Sequence, residues 1–316
     1  MVRPVYFDCD TGIDDALALS YLMASPEITL VGVGTVSGNT SADQAARNSL
    51  DLLAMGGRAE VPVAVGARNP LTGIFDGGVP HIHGRNGVGN IELPRAGREP
   101  ETESAPNMLI RLSHQYPGEL EVIAVGPLTN LGLALAMDPS IVERVRRLTV
   151  MGGAARVPGN VSPVGEANVW CDPEAAQAVM LAPWPVVMVP LDVTLENYLT
   201  EAQRLQLAAS TSRLNQTLAA ILEYYFDFYK QEYGERCCAL HDPLACAIAI
   251  GQVVATVAPA VAVVVDQGYG PGRGQTICDL RGQRNGPVDQ PGAHVRVVLD
   301  TDQPLAPMLL ERLLGA

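Results

Sequence analysis

The sequence predicts an α/β protein, a mostly parallel central sheet flanked by helices, in one domain spanning residues 1–316. Three observations carry that reading. Short apolar runs alternate with helical segments along the chain, the order that builds a parallel sheet with helices on its faces. The run 28–36 is almost continuously apolar, as in strands buried on both sides. Several runs end in Asp, Asn or Gly, which lines polar turns along the carboxyl edge of the sheet, where open α/β sheets bind ligands.

Composition narrows the function. The chain has 316 residues, 47% hydrophobic and 17% charged, a globular composition with ample length for a large core. Its formal net charge of -13, from 21 basic and 34 acidic residues, argues against a nucleic-acid or anionic-membrane footprint and leaves small uncharged substrates unaffected. The stretch MVRPVYFDCD has no apolar run before its first acid, and no segment reads as a membrane span. The six cysteines show no CxxC spacing and no zinc-type cluster, so reduced thiols and a cytoplasmic location are expected.

The first strand, Val5 to Phe7, runs into Asp8, Asp10, Asp14 and Asp15 just before a helix opening at Ala16. Strand alternation allows Asp8 and Asp10 to share a face, and Gly12 permits the turn. Helix capping accounts for one or two of these acids. Four so close together call for a shared proton or a cation, and an all-oxygen ligand set suits a hard ion such as Ca²⁺ or Mg²⁺. An EF-hand loop would want an acid where Leu19 stands. A phosphatase with Asp8 as nucleophile would need a cation for its phosphate, and no basic residue occurs between Arg3 and Arg47.

Next come the strand 28–36, a helix over 42–55 and the strand 61–65. Gly32, Gly34 and Gly38 miss the dinucleotide spacing, which sets a nicotinamide cofactor aside. The loop 66–101 is long enough to be a flap; its His81 and His83 are read as hydrogen-bonding residues, since imidazole is not the natural partner of a hard cation. A helix over 105–114 leads to the strand 120–125, the turn Gly126 to Asn130, a helix over 131–137 and the strand 148–151. The loop 152–172 carries Asn160, Glu166 and Asn168 ahead of a helix over 173–181. A strand over 185–193 precedes helices over 201–207 and 214–233, the second with an aromatic stripe read mainly as core. His241 and Asp242 open a helix over 244–250. Strands 261–265 and 294–299 and a helix over 304–314 close the chain.

DCDTGIDDALAL is similar to the opening signature of the inosine-uridine nucleoside hydrolases. Val36 to Asn39, His83-Gly84, Gly126 to Asn130, Met151 to Gly153, Glu166 to Asn168, Asp172 to Ala175 and His241 to Pro243 resemble further blocks of that family in the same order, over nearly the whole chain. The resemblance implies a Ca²⁺-dependent hydrolase that splits ribonucleosides into ribose and free base. It implies Asp10, Asp15, Asp242 and the Val125 carbonyl as calcium ligands and Asp10 as general base for the metal-bound water. Asp14, Asn39, Glu166 and Asn168 match ribose-binding positions, with Met151, Asn160 and His83 beside them. His241 matches the acid proposed for a purine leaving group, Tyr225 and Tyr229 the base pocket, and Asp8 a support for Asp10 or the turn. Ala167 stands where an aromatic residue is expected, which leaves the preferred base open. A homodimer or homotetramer is implied, with no nucleic-acid or membrane partner. The readings of other classes are a calcium-bound nucleoside-binding protein without turnover and the phosphatase above.

Overall fold

Along β1 (Arg3–Cys9) successive side chains point to opposite faces of a sheet, and different helices close the two faces in the computed structural model, which describes residues 2–315. Val5, Phe7 and Cys9 enter one hydrophobic core and Tyr6 the other. The chain continues through α1 (Ile13–Met23), β2 (Ile28–Thr35), α2 (Ala42–Met55), β3 (Val63–Val65), α3 (Pro80–His83), α4 (Ala105–Gln115), β4 (Leu120–Ala124), α5 (Thr129–Met137), β5 (Val145–Met151), α6 (Ala167–Cys171), α7 (Pro173–Leu181), β6 (Val186–Val189) and α8 (Leu191–Thr194). The second half adds β7 (Tyr198–Thr200), α9 (Glu201–Ala208), α10 (Arg213–Tyr233), β8 (Cys237–Ala239), α11 (His241–Ile250), β9 (Ala255–Val257), β10 (Ala260–Val261), β11 (Val263–Val265), β12 (Thr276–Cys278), β13 (Val295–Val297), β14 (Asp300–Thr301) and α12 (Ala306–Gly315). Among the described residues no helix is long and apolar enough to cross a membrane.

The fold class is the one expected. Eight strands form one sheet in the order β10-β13-β6-β5-β4-β1-β2-β3, parallel except for β10, which pairs antiparallel with β13. From β1 the chain steps outward through β2 to β3, returns to β4 beside β1, and steps the other way to β5 and β6. The reversal point lies between β1 and β4, and the connections leaving their carboxyl ends diverge there to open a crevice. Leu17 of α1, Leu52 of α2, Ile221 of α10, Leu244 of α11 and Leu309 of α12 cover one face. Met108 of α4, Leu131 of α5 and Val179 of α7 cover the other. Every residue of α1 is buried, as befits a helix enclosed on all sides.

Three local expectations differ. The run 185–193 is strand only over β6; Pro190 lacks the N–H to continue the ladder, and the N–H groups of Val193 and Thr194 turn back to its carbonyl at 3.2 and 3.3 Å, starting α8. The run 261–265 splits into β10 and β11, which pair with different strands. The loop 66–101 contains α3, which the Tyr224 hydroxyl holds by donating to the Pro80 carbonyl at 2.9 Å.

Asp8 also departs from its expected place. It is on the Tyr6 face of β1, and its carboxylate accepts from the Tyr6 hydroxyl at 2.9 Å and from Asn130 Nδ2 at 3.1 Å. Asp10 lies beyond the end of the strand, so strand alternation no longer governs it. Gly34, opposite Asp8 in β2, leaves room for this contact: a Cβ there would sit 1.8 Å from the Tyr6 hydroxyl and 2.6 Å from Asp8 Oδ2. Gly34→Ala is expected to destabilise the fold by about 1–3 kcal/mol through overpacking, read as a lower urea midpoint at unchanged slope.

Candidate active site

The turn from β1 into α1 builds the floor of the crevice. Asp15, in the first turn of α1, accepts from the N–H groups of Gly12 at 2.8 Å and Asp10 at 3.1 Å, so its carboxylate both caps the helix and folds the turn. Asn39 Nδ2 donates to its Oδ2 at 3.1 Å, while the Asn39 N–H donates to Asp10 Oδ2 at 2.5 Å. Glycines flank Asp10: a Cβ on Gly38 would lie 2.1 Å from its Oδ2 and one on Gly126 3.0 Å from its Oδ1. Asp242, in the first turn of α11, joins from the far end of the chain. Oxygens of Asp14, Asp15 and Asp242 lie within 4.8 Å of one another.

Electrostatics make this cluster costly on its own. Burial, and next the neighbouring Asp15, push the Asp10 carboxyl well above the usual range and Asp14 up to about 7. Burial and then Asp14 raise Asp242 strongly. Asp10 Oδ1 and Asp14 Oδ1 are buried with no hydrogen-bond donor. Inward-facing, undonated carboxylate oxygens are the donor set a hard cation needs. Of the expected ligands Asp10, Asp15, Asp242 and the Val125 carbonyl, Asp15 and Asp242 join Asp14 in this close group, and Asp10 lies beside it with its N–H donating to Asp15 at 3.1 Å.

Above the floor is a cavity of about 350 Å³. All nine residues expected to touch substrate line it: Asp14, Asn39, His83, Met151, Asn160, Glu166, Asn168, Tyr225 and Tyr229, together with Val125, His241 and Asp242. Asn168 Nδ2 donates to the carbonyls of Val125 at 2.8 Å and Met151 at 3.2 Å, tying the ends of β4 and β5 to α6. Glu166 caps α6, accepting from Asn168 N–H at 3.0 Å and Val169 N–H at 3.2 Å, and also from Gly153 N–H at 2.8 Å. Asn160 Oδ1 accepts from Ala167 N–H at 2.9 Å. His83 Nδ1 accepts from the Ile13 N–H at 3.0 Å, so its proton is on Nε2. Burial lowers its pKa to about 3, and the nitrogen 4.0 Å from Asp14 therefore carries no charge. His81 is exposed and packs edge-on against Phe228.

His241 is engaged at both nitrogens. Nε2 lies 3.0 Å from the Tyr229 hydroxyl and Nδ1 2.8 Å from Thr194 Oγ1, so one partner donates and the other accepts. Burial lowers its pKa to about 4. Tyr225 stacks edge-on against Tyr229 with centroids 4.9 Å apart and donates to Asp14 Oδ2 at 3.4 Å. A polar chain thus runs from Thr194 through His241 and the two tyrosines to the floor. The lining contains no Lys or Arg, and Asp8, the nucleophile a phosphatase would need, is buried against Tyr6 and Asn130.

This cavity coincides with a family-wide match. The sequence profile described as inosine-uridine preferring nucleoside hydrolase covers residues 5–306. The chain belongs to that family. It is 35% identical over 288 residues to the inosine-uridine preferring nucleoside hydrolase of Leishmania major, with 89% of each chain covered. It is 35% identical over 237 residues to uridine nucleosidase 1 of Arabidopsis thaliana, covering 75% of this chain and 70% of the relative. A solved purine-preferring ribonucleoside hydrolase from Gardnerella vaginalis superposes with a TM-score of 0.91 at 34% identity, over 99% of this chain and 98% of the other. This nucleoside hydrolase is accordingly an N-glycosyl hydrolase of ribonucleosides. The family is metal-dependent, and Asp14, Asp15 and Asp242 can hold the ion.

Sequence reasoning missed part of the wall of this hydrolase. Ile82, Leu195, Phe228 and Glu232 line the cavity, and Thr194 backs His241. Phe228 and Glu232 were legible in principle, because they follow Tyr225 at helical spacing on α10. Thr194 and Leu195 sit at and just beyond α8, the segment read as the end of a strand.

Proposed function

We propose that this chain hydrolyses the N-glycosidic bond of ribonucleosides with Ca²⁺ held by Asp10, Asp15, Asp242 and the Val125 carbonyl beside Asp14, Asp10 acting also as general base. The observation that carries the reading is the set of undonated buried carboxylate oxygens under a cavity walled by aromatic rings. When bound, Ca²⁺ supplies a positive centre that accepts many oxygens and polarises hydroxyls and water. Asp10 is suited to remove the proton of the attacking water, because Asn39 fixes its Oδ2 and its buried Oδ1 has no donor. Asp14, Asn39 and Asn168 orient the ribose, with Glu166 and Asn160 setting the loop that carries Asn168. Positive charge builds on the sugar as the bond breaks, and a lining with acids and no Lys or Arg favours it. Assembly as a homodimer or homotetramer, on the resemblance, and a cytoplasmic location, on the cysteine pattern, are part of the same reading.

For the leaving base, the geometry supports proton delivery by the Tyr229 hydroxyl, with His241 and Thr194 behind it. Tyr229→Phe is expected to lower kcat on natural nucleosides by about 100-fold and to spare 4-nitrophenyl riboside, whose leaving group needs no proton. Equal losses on both substrates would show that the hydroxyl only shapes the pocket.

The reading is tested by reducing-sugar release from a panel of purine and pyrimidine ribonucleosides. Ribose from at least one of them is expected. No ribose from any, with Ca²⁺ bound, would overturn the reading in favour of a nucleoside-binding protein.

A further inference from the structure

One titratable side chain of the cavity has no part in the chemistry above. Glu232 lines the cavity from the last turn of α10, seven residues after Tyr225, four after Phe228 and three after Tyr229. That spacing places all four on one stripe of the helix. Tyr225 touches Asp14 at the sugar end, and seven residues of helix rise about 10 Å, so Glu232 stands at the opposite end, beyond the aromatic rings.

Its surroundings leave the carboxylate open. Glu232 is exposed, and no described residue donates to it or forms an ion pair with it. The nearby acids Glu223 and Asp227 are held by Arg236. An acid in the last turn also opposes the helix dipole, so neither pairing nor helix stability accounts for its place. Ile82, Leu195 and Phe228 of the same cavity have side chains without polar atoms, and the tyrosine hydroxyls face Asp14 and His241.

We propose that Glu232 is a specificity residue that accepts a hydrogen bond from the ring N–H on the far edge of the base: N1–H of hypoxanthine or guanine, N3–H of uracil. The inference rests on the hydrolase reading and goes beyond it by assigning base discrimination to one side chain. A carboxylate only accepts. It pairs with a ring N–H and repels the ring-nitrogen lone pair that adenine N1 or cytosine N3 presents at the same place. A site built to bond a donor rejects an analogue lacking it far more strongly than an apolar wall does.

The test is kcat/KM for inosine, 1-methylinosine, uridine, 3-methyluridine and adenosine with wild type, Glu232→Ala and Glu232→Gln. Wild type is expected to lose about 10- to 100-fold when the ring N–H is methylated, the worth of one hydrogen bond to a charged acceptor. Glu232→Ala is expected to fall by the same factor on inosine and uridine, to stay level on the methylated pair and to gain on adenosine, where the repulsion is lost. Glu232→Gln, whose amide both accepts and donates, is expected to recover part of the inosine rate and to gain on adenosine. The unfolding temperature should be unchanged in both variants. An equal loss on all five nucleosides, or no loss on any, would overturn the proposal. If wild type releases ribose from none, the hydrolase reading falls first and this one with it.

Discussion

Asp10→Asn is expected to lower kcat by about 100- to 10,000-fold, the range a positioned general base contributes, with little change in nucleoside affinity or unfolding temperature. The geometry explains why so small a change is so damaging. Asp10 Oδ2 accepts from the Asn39 N–H, so the asparagine carbonyl must occupy that place, and its NH₂ falls where Oδ1 is now buried without a donor. The position that would take a proton from water then offers protons instead. Steady-state ribose release checks this, with calorimetric nucleoside binding as the control for folding. A kcat within about threefold of wild type would remove Asp10 from the role of base.

Removing the cation is expected to abolish turnover and to weaken the fold. Asp10, Asp14, Asp15 and Asp242 are each buried in the sheet crevice, and like charges at such separations repel strongly where water is excluded. An ion present at 100 to 1,000 times its dissociation constant stabilises the native state by about 3–4 kcal/mol. Dialysis against a chelator should therefore lower the unfolding temperature by several degrees, and Ca²⁺ should restore both temperature and activity. Zn²⁺ is expected to restore less, since the ligands are oxygens only. Full activity after exhaustive chelation, with no metal found by elemental analysis, would remove the cation from the mechanism.

Much of the site was legible because its residues cluster in short stretches. Glu166 and Asn168 stood out through the resemblance to the family, while Asp10, Asp14 and Asp15 share one turn, so local spacing announced them. The alternation of strand and helix announced the sheet for the same reason. Contacts across the chain were not legible. Asp8 looks equivalent to Asp10 until Asn130, 122 residues away, is found donating to it. The membership of Asp14 in the close carboxylate group depends on where α11 brings Asp242. Glu232 was hidden differently: the aromatic periodicity of α10 was visible, but a stripe facing a cavity has the same spacing as one facing a core.

The joining of α1 to α11 has a bearing on synthesis. Asp14 and Asp15 leave the ribosome early, and Asp242 follows only after most of the sheet has been made. Until then the acidic turn lacks Asp242 and α1 lacks the helix packed against it. Truncated or stalled products would carry the acids of this turn open to water and without Asp242, a poor ligand set for any ion at cellular concentration. Loading with cation is thus expected to distinguish finished molecules from fragments, and a radioactive Ca²⁺ overlay of nascent-chain lengths is expected to show retention only once α11 has emerged.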